Sequence, residues 1–153
     1  MVTKHLDIGC GTNPRNPFLQ EELYGVDIQP LDSSKLEFNY TESDVILEKL
    51  PFEDSLFDSI SCYDFLEHVP RVIEKDSKIH FPFVDLMNEI HRVLKNGGIN
   101  IYTARHTGDG DYKNGIHRGE DLYENDGFIV HFFDKEKINQ ISKEFKIEDI
   151  FSS

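Results

Sequence analysis

The chain has 153 residues, of which 38% are hydrophobic and 29% are charged, and this size and balance suit a single soluble domain. Its 29 acidic and 16 basic residues give a formal net charge of −13, which repels a phosphate backbone and argues against general nucleic-acid binding. No segment approaches the ~18 consecutive apolar residues of a membrane span, and no charged-then-apolar leader precedes the first apolar run. We therefore expect one domain over residues 1–153, located in the cytoplasm, with neither a membrane nor a nucleic acid as partner.

Two cysteines, Cys10 and Cys62, lie in apolar, strand-like stretches. Two buried thiols fit a reducing cytoplasm better than a disulfide framework. Cys10 could act as a nucleophile, but the sequence places no base beside it, so a structural thiol is favoured.

Short apolar runs alternate with helix-like segments along the chain, which is typical of an α/β domain with a parallel sheet. The sequence predicts strands over residues 3–9, 23–27, 36–43, 57–63, 98–104 and 146–151. The connection between the first two strands holds two prolines, so we expect only a short helical piece there, with Asn16 as its cap and Pro17 in its first turn. The connection between the second and third strands is too short for a full helix.

Two longer helices are predicted further along the chain. The first covers residues 81–95, because apolar residues recur there at steps of four, three and four. The residues of this apolar face are Phe83, Met87, Ile90 and Leu94. This helix is expected to stop at KNGG, with Gly97 as a left-handed C-terminal cap. The second helix covers residues 134–145, with Asp134 as its N-cap.

The stretch HLDIGCGTNP, at the end of the first strand, carries Asp7, Gly9 and Gly11. Open α/β sheets bind ligands at the carboxyl ends of their strands, so these residues mark a candidate binding loop. Gly9 would let a ligand approach the backbone, and Gly11 would supply a conformation with positive φ. A dehydrogenase with a nicotinamide cofactor is an alternative, but Pro14 stands where the motif for that cofactor requires a third glycine.

Acidic residues follow at the ends of the next two strands. Asp27 ends the stretch LYGVDI, and a carboxylate there can accept hydrogen bonds from both hydroxyls of a ribose. Asp44, in TESDVI, could accept a hydrogen bond from an adenine amino group. Either acid alone could be a cap or a solvated charge, but the glycine turn, Asp27 and Asp44 in that order are a much more specific signal.

Four segments carry a family resemblance. HLDIGCGTNP and LYGVDI resemble the first and second motifs of class I S-adenosylmethionine-dependent methyltransferases, closest to the type 11 methyltransferase-domain family. LPFEDSLFDSISCYDFLEHVPRV resembles the strand-four region of that family, and LMNEIHRVLKNGGINIYTA resembles its helix and fifth strand. The resemblance covers about residues 3–104, and the four motifs stand in the right order and spacing.

The resemblance implies a Rossmann-like, doubly wound, mostly parallel sheet of about six strands, which is the class I methyltransferase fold abbreviated at both ends. It implies S-adenosyl-L-methionine as the cofactor and methyl transfer as the reaction, here to a small-molecule acceptor. The implied cofactor-binding residues are Asp7, Gly9 and Gly11 at the methionine part, Asp27 followed by Ile28 at the ribose, Asp44 followed by Val45 at the adenine, and Tyr63 and Asp64 at the reactive side.

The chain departs from the family pattern at both ends. Such enzymes usually carry N-terminal helices over the cofactor, whereas the first strand here begins by residue 3. They usually end in a hairpin of two further strands, whereas at most a sixth strand fits in KIEDIFSS. Two alternatives follow: a minimal enzyme, or a chain whose pocket is completed by a second copy or another subunit. In the second case the chain would bind the cofactor but be catalytically incomplete alone.

Residues 105–133 form a long connection rich in glycine, histidine and tyrosine, and connections of that length are often lids or binding loops. This segment follows the fifth strand on the side where a methyl acceptor must lie, so we expect a mobile substrate lid that excludes water. His106 and His131 are the candidate catalytic bases, although a single histidine is more often structural or solvated.

No metal is expected. Asp109, Asp111 and Glu120 match three positions of a calcium-loop template, but Lys113 puts a cation inside that loop and Asn114 replaces its required glycine. No cluster of cysteine and histidine indicates zinc.

Overall fold

The computed structural model of the chain describes residues 2–70, 72–106, 116–117, 122–125, 128–133 and 145. In chain order, the elements are β1 (Lys4–Ile8), β2 (Glu22–Asp27), β3 (Asn39–Glu42), β4 (Phe57–Cys62), β5 (Ile73–Lys75), β6 (Lys78–His80), α1 (Pro82–Val93), β7 (Leu94–Tyr102), β8 (Arg105–His106), β9 (Ile116–His117), β10 (Leu122–Asn125) and β11 (Phe128–Phe133). Two short 3-10 turns, Ser33–Lys35 and Leu66–His68, lie between them.

A five-stranded parallel sheet, in the order β3-β2-β1-β4-β7, forms the centre of the described chain. Successive strands run outward from β1 to one edge and then from β4 to the other, so the topology switches between β1 and β4. Sheets of this kind take ligands at the carboxyl ends of the strands beside that switch. The Rossmann-like α/β fold predicted from the sequence is thus confirmed, while the predicted sixth strand, 146–151, lies outside the described residues.

Two strands begin more than one residue away from the predicted start. The third strand begins at Asn39 rather than at residue 36, because the Leu36 N–H donates to the Ser33 carbonyl at 3.3 Å and so belongs to the preceding 3-10 turn. The fifth strand of the sheet begins at Leu94 rather than at residue 98, because the chain passes from α1 into β7 without a loop.

Helix α1 covers one face of the sheet. It begins at Pro82, whose ring presets the first helical φ and whose missing N–H would have no helical partner there. Its buried residues are Pro82, Phe83, Leu86, Met87, Ile90 and Val93. They pack against the apolar face of the central strands, which includes Leu6 and Ile8 of β1 and Ile60 of β4. The predicted helix is confirmed with Phe83, Met87 and Ile90 of its apolar stripe, while Leu94 belongs to β7 and Leu86 and Val93 join the stripe.

The predicted glycine cap of this helix is wrong. Leu94 is the C-cap, in an extended conformation, and its N–H donates to the Ile90 carbonyl. Gly97 does have a positive φ of 83°, but it lies inside β7, where the pairing with β4 shifts register. Its conformation therefore serves an irregularity in the strand rather than the end of the helix.

An antiparallel hairpin, β5-β6, precedes α1 and was not predicted from the sequence. Its turn consists of Asp76 and Ser77, with φ of 54° and 60°. A two-residue turn with both φ values positive matches the right-handed twist of the two strands it joins. Strands of three residues are too short to show an alternating apolar pattern, so only the turn residues carried a signal.

The connection between β1 and β2 contains no helix, so the prediction of a short helical piece at residues 16–17 is wrong. Asn16 instead closes a loop on Gln20. Its Oδ1 accepts from the Gln20 N–H at 3.0 Å, and its Nδ2 donates to the Gln20 carbonyl at 2.9 Å. The connection between β2 and β3 holds only the turn Ser33–Lys35, as expected from its length.

The segment 105–133, expected to be an irregular connection, contains paired strands. The order is β8-β11-β10-β9, with β11 parallel to β8 and antiparallel to β10. The predicted helix over 134–145 lies outside the described residues except for its last position. There, the Phe145 ring packs edge-on against His91 of α1, with centroids 5.4 Å apart.

Arg92 of α1 ties the loop before β4 to the helix. Its guanidinium donates to both carboxylate oxygens of Glu89, to the carbonyls of Leu50 and Phe52, and to Asp54, at 2.8–2.9 Å. Glu89 also accepts from the Leu50 N–H at 2.9 Å. Because the Arg92 side chain is only 29% exposed, these bonds are partly shielded from water.

We expect Arg92→Ala to lower the free energy of unfolding by about 2–4 kcal/mol, since it leaves Glu89 and two carbonyls without their donor. The control is Lys35→Ala, which removes an exposed ion pair with Asp32 at 3.9 Å and should cost less than about 1 kcal/mol. Urea denaturation of the two variants and the wild type measures both values. Equal losses in the two variants would contradict the structural role of Arg92.

Candidate functional site

The candidate site lies at the carboxyl ends of β1, β2 and β4. After β1 the chain bends across β2, where the N–H groups of Gly9 and Cys10 donate to the Val26 carbonyl at 2.9 and 3.3 Å. Both glycines of the turn have positive φ, 72° at Gly9 and 54° at Gly11. We call residues 9–15 the glycine loop.

The positive φ expected at Gly11 is confirmed, and Gly9 shares it. A Cβ on Gly9 would lie 2.8 Å from the Phe65 ring, so Gly9 makes room for Phe65, and its contact with a ligand stays a prediction. A Cβ on Gly11 would meet no atom of the described chain within 4 Å, so the open backbone is at Gly11. Of the two glycines, Gly11 is the one at which the described chain leaves the backbone open.

Asp27 is joined directly to the glycine loop. Its Oδ2 accepts from the Gly11 N–H at 2.8 Å, and its Oδ1 accepts from the Gln29 N–H at 3.3 Å. The carboxylate at the end of β2 and the open glycine after β1, which the sequence analysis linked only by their order, are thus in contact. Lone pairs on both oxygens are left to accept further hydrogen bonds.

The other residues expected to contact the ribose and the adenine follow β2 and β3. Ile28 is 63% exposed and offers an apolar surface. Asp44 follows β3, and its Oδ1 accepts from the N–H groups of Ile46 and Leu47 at 3.1 and 3.3 Å. Val45 belongs to the hydrophobic core, so its side chain presents little surface to a ligand.

Three side chains meet at the end of β4. The guanidinium carbon of Arg15 lies 4.6 Å from the centroid of the Tyr63 ring, and its Nη2 lies 4.0 Å from a carboxylate oxygen of Asp64. Asp64 has a φ of 52°, an uncommon conformation for a residue with a side chain, and its N–H donates to the Thr103 hydroxyl at 2.8 Å. We call Arg15, Tyr63 and Asp64 the β4 edge.

Asp7 lies beneath the loop and is almost fully buried. Its Oδ2 accepts from the Arg15 N–H at 3.0 Å, and its Oδ1 accepts from the Ser61 hydroxyl at 2.6 Å. Burial raises the pKa of Asp7, while the hydrogen bonds from Ser61 and Arg15 act in the opposite direction. Both carboxylate oxygens bind groups of the protein, so this residue organises the site from within.

A buried histidine beside Asp7 was missed by the sequence analysis. His5, also on β1, contacts the Ser59 hydroxyl through Nδ1 at 2.6 Å and the Ser61 hydroxyl through Nε2 at 2.8 Å. Gln20 donates from Nε2 to the same Ser59 hydroxyl at 3.1 Å. The sequence did hold a signal for this contact. On β1 and again on β4, two polar residues are separated by a single apolar residue, so both polar side chains of a strand lie on the same face. Burial lowers the pKa of His5 from 6.5 to about 4.

Cys10 is a buried structural thiol. Burial, followed by the charges of Asp27 and Asp7, raises the pKa of Cys10 to about 12, so the thiolate needed for nucleophilic attack does not form near neutral pH. The thiol fills the space beside Gly25 of β2, where a Cβ would lie 2.6 Å from the sulfur. The structural interpretation of Cys10 is therefore supported.

The candidate bases His106 and His131 are on neighbouring strands of the second sheet. The register pairs His106 of β8 with Phe133 of β11, and His131 lies two residues before Phe133. These backbone positions are close to each other, and their relation to the glycine loop stays a prediction.

Two further findings concern metals and membranes. Among the residues that the structure describes, no group of three or more His, Cys, Asp or Glu side chains is arranged to hold a metal ion. In the same residues, no helix is long and apolar enough to cross a membrane.

The family model described as "Methyltransferase domain" matches residues 6–102, well over half of the chain. The chain belongs to this family of methyltransferases. It is an enzyme that uses S-adenosylmethionine as its cofactor, and the resemblance noted in the sequence is confirmed. No curated protein sequence matches this methyltransferase significantly.

Solved structures share the fold of this methyltransferase. An S-adenosylmethionine-dependent methyltransferase from Methanosarcina mazei is 18% identical, with a TM-score of 0.64 over 94% of this chain and 78% of the other. A protein from Pyrococcus horikoshii is 23% identical, with a TM-score of 0.63 over 95% and 73%. A methyltransferase from Clostridium acetobutylicum is 14% identical, with a TM-score of 0.59 over 94% and 72%. At these identities the likeness is one of fold.

The described residues fit S-adenosylmethionine. S-adenosylmethionine has no phosphate group and so needs no basic residues to bind one, and the described site has no cluster of basic residues. The open backbone at Gly11 admits a ligand where a Cβ would otherwise stand, and Asp27 can accept from hydroxyl groups beside it. The exposed Ile28 offers an apolar surface to an aromatic base.

We expect the two glycines of this methyltransferase to respond differently to alanine. Gly9→Ala adds a clash with Phe65 to the cost of positive φ and should lower the free energy of unfolding by about 2–4 kcal/mol. Gly11→Ala should cost only about 1–2 kcal/mol, from backbone strain alone, yet weaken cofactor binding because its methyl group fills the open position. Denaturation and calorimetry with S-adenosylhomocysteine test this pair. A Gly11→Ala variant that binds as the wild type does would refute the placement of the open backbone.

A second prediction concerns pH. The folded pKa of His5 is below its unfolded value, so the unfolded chain takes up a proton below pH 6.5, whereas the folded chain does so only near pH 4. The contribution of His5 is therefore complete above pH 6.5 and is lost as the pH falls to 4, by about 3 kcal/mol.

The measurement is the free energy of unfolding of the wild type and His5→Gln between pH 4 and 6.5. The pH dependence should be flatter in the variant, and comparison of the two removes the opposite contribution of Asp7, whose pKa is raised. His68→Gln, which removes a histidine from an exposed position, is the control variant. A His5→Gln slope equal to that of the wild type would contradict the burial of a neutral imidazole.

Proposed function

We propose that this methyltransferase acts on a small-molecule acceptor. The observation that carries the proposal is the β4 edge, where Arg15 and Asp64 have side chains 58% and 76% exposed beside the Tyr63 ring. One guanidinium, one carboxylate and one aromatic ring are enough to orient a small polar molecule. The net charge of −13 acts against a nucleic acid as acceptor.

The cofactor roles proposed here follow the carboxyl ends of the strands in order. Asp27 accepts from the ribose hydroxyls, Ile28 packs against the adenine, and Asp44 accepts from its amino group through the carboxylate oxygen that no described donor reaches. Gly11 provides the open backbone, and Asp7 holds the glycine loop in place. Support comes from the bond between Gly11 and Asp27 and from the exposure of Ile28.

When bound, S-adenosylmethionine would supply a methyl group on a cationic sulfonium: a bond from the acceptor's nucleophile to the methyl carbon would form as the carbon–sulfur bond breaks, and S-adenosylhomocysteine would leave as a neutral thioether. Such a reaction needs positioning and the exclusion of water more than covalent help from the protein. Asp7 and Asp64 give the region a negative potential that suits a cation. We propose that His106 or His131 accepts the acceptor's proton and that residues 105–133 close over the site as a lid.

The second candidate is a methyltransferase subunit that binds the cofactor but needs a second copy or another chain to complete its pocket. The observation that favours it is a group of exposed apolar side chains around the β5-β6 hairpin and the start of α1. These are Val72, Ile79, Phe81 and Val84, each about half exposed or more. Exposed apolar groups of this kind often mark protein contacts.

A cytoplasmic location is also proposed. It is supported by the two thiols, Cys10 and Cys62, which are buried and form no disulfide.

The cofactor roles predict that Asp27→Ala lowers the affinity for S-adenosylhomocysteine about ten- to a hundredfold, because two hydroxyl donors lose a charged acceptor. Asp27→Asn keeps an acceptor for the Gly11 N–H and should lose less. The control is Asp32→Ala, which removes an exposed negative charge from the same connection and should leave affinity unchanged. Isothermal calorimetry measures all three, and equal affinity in Asp27→Ala and the wild type would refute the assignment.

The acceptor class is tested by a methyl-transfer screen with labelled cofactor and the purified chain alone, against metabolite pools, duplex DNA and RNA. We expect label only in the metabolite fraction. Label in nucleic acid would overturn the small-molecule proposal, and cofactor binding without any transfer would favour the incomplete-subunit alternative. In an active preparation, His106→Ala or His131→Ala should lower kcat while cofactor affinity stays nearly constant. Full activity in both variants would exclude these histidines as bases.

A further inference from the structure

A continuous chain of polar side chains runs along one face of the neighbouring strands β1 and β4, beneath the glycine loop. It runs from Gln20 through Ser59, His5 and Ser61 to Asp7, with contacts of 2.6–3.1 Å, and ends at the Arg15 N–H. His5, Ser59 and Ser61 are fully buried and Asp7 nearly so. Burying such groups in a sheet is costly unless every donor and acceptor is paired. We call these five side chains the relay.

The donor and acceptor of each hydrogen bond in the relay can be assigned so that every group is paired. The Ser61 hydroxyl donates to Asp7, so it must accept from His5, and the proton of the neutral imidazole is therefore on Nε2. Nδ1 is then an acceptor for the Ser59 hydroxyl, which in turn accepts from the Gln20 amide. An ionised Asp7 and a neutral His5 satisfy the whole chain at once.

Both ends of the relay bind the connection between β1 and β2. Asp7 accepts from the Arg15 N–H at one end, and the Gln20 side chain forms the other end, while the Gln20 backbone closes the loop with Asn16. This connection has no helix to keep its shape, so side-chain hydrogen bonds do so. The glycine loop, with Gly11 and its bond to Asp27, lies within the same connection.

We propose that His5, Ser59 and Ser61 are positioning residues for the cofactor site: they orient the Asp7 carboxylate, and Asp7 in turn holds the glycine loop in the conformation that accepts S-adenosylmethionine. This inference rests on the proposed cofactor roles of Gly11 and Asp27. None of the three touches the open surface of the loop. Their effect is transmitted through the backbone N–H of Arg15.

The main variant is Ser61→Ala, which removes the donor to Asp7 and the acceptor for His5 together. We expect the Kd for S-adenosylhomocysteine to rise about tenfold and the KM for S-adenosylmethionine to rise with it, while kcat with a saturating cofactor changes little. Ser61→Thr keeps the hydroxyl and should restore most of the affinity. The Arg15 amide, followed by hydrogen exchange, should lose protection in Ser61→Ala and keep it in Ser61→Thr.

The matched control is Ile60→Val, which trims a fully buried residue on the opposite face of the same strand. It lowers stability without touching the relay, so its cofactor affinity and Arg15 protection should match the wild type. If Ser61→Ala does not fold, Ser59→Ala, on the other side of the imidazole, tests the same chain with the same measurements.

The possible results separate the two proposals. A wild-type chain that does not bind S-adenosylhomocysteine would refute the cofactor site itself. A wild-type chain that binds, together with a relay variant whose affinity and Arg15 exchange equal those of Ile60→Val, would refute the relay alone. Loss of affinity in Ser61→Ala with rescue by Ser61→Thr supports it.

Discussion

The Asp7 carboxylate is the group on which the site depends. It lies on the central strand, where the topology of the sheet switches, and it binds a serine of the neighbouring strand and the backbone of the loop above. One residue thereby joins the rigid part of the fold to the part that must recognise a ligand. Burial raises the pKa of Asp7, and the hydrogen bonds from Ser61 and Arg15 oppose that rise, so the two donors favour the charged carboxylate.

Acidic groups are concentrated at this end of the sheet, which has consequences for neighbouring chemistry. Burial, followed by the charges of Asp27 and Asp7, raises the pKa of the Cys10 thiol, and burial, followed by the charge of Asp7, raises the pKa of the Tyr63 hydroxyl. The positively charged guanidinium of Arg15 lies among these acidic groups, against the Tyr63 ring and near Asp64. The region is thus suited to a cationic ligand group and poorly suited to phosphate.

Features that depend on neighbouring residues could be predicted from the sequence, whereas contacts between residues far apart in the chain could not. The parallel strands, helix α1 and the order of Gly11, Asp27 and Asp44 follow from apolar periodicity and from motifs that lie within a few residues. The relay could not be assigned in the same way, because His5 meets serines 54 and 56 residues away. The packing of Gly9 against Phe65 could not be predicted for the same reason, since the two residues are far apart in the sequence. Gly97 and Asn16 were wrongly predicted to be helix caps. Glycine and asparagine occur in several kinds of turn, so the residue type alone does not distinguish a cap from another turn.

The contact between Cys10 and Gly25 has a consequence for how the chain can vary. Any side chain at position 25 would occupy the space of the thiol, and it would also meet the Phe38 ring at 2.8 Å. A larger residue at 25 is therefore compatible with this backbone only when position 10 becomes smaller and position 38 gives way. Positions 10, 25 and 38 lie on different segments but share one small volume. In sequences that keep this loop geometry, we therefore expect a larger side chain at one of these positions to occur together with a smaller one at another.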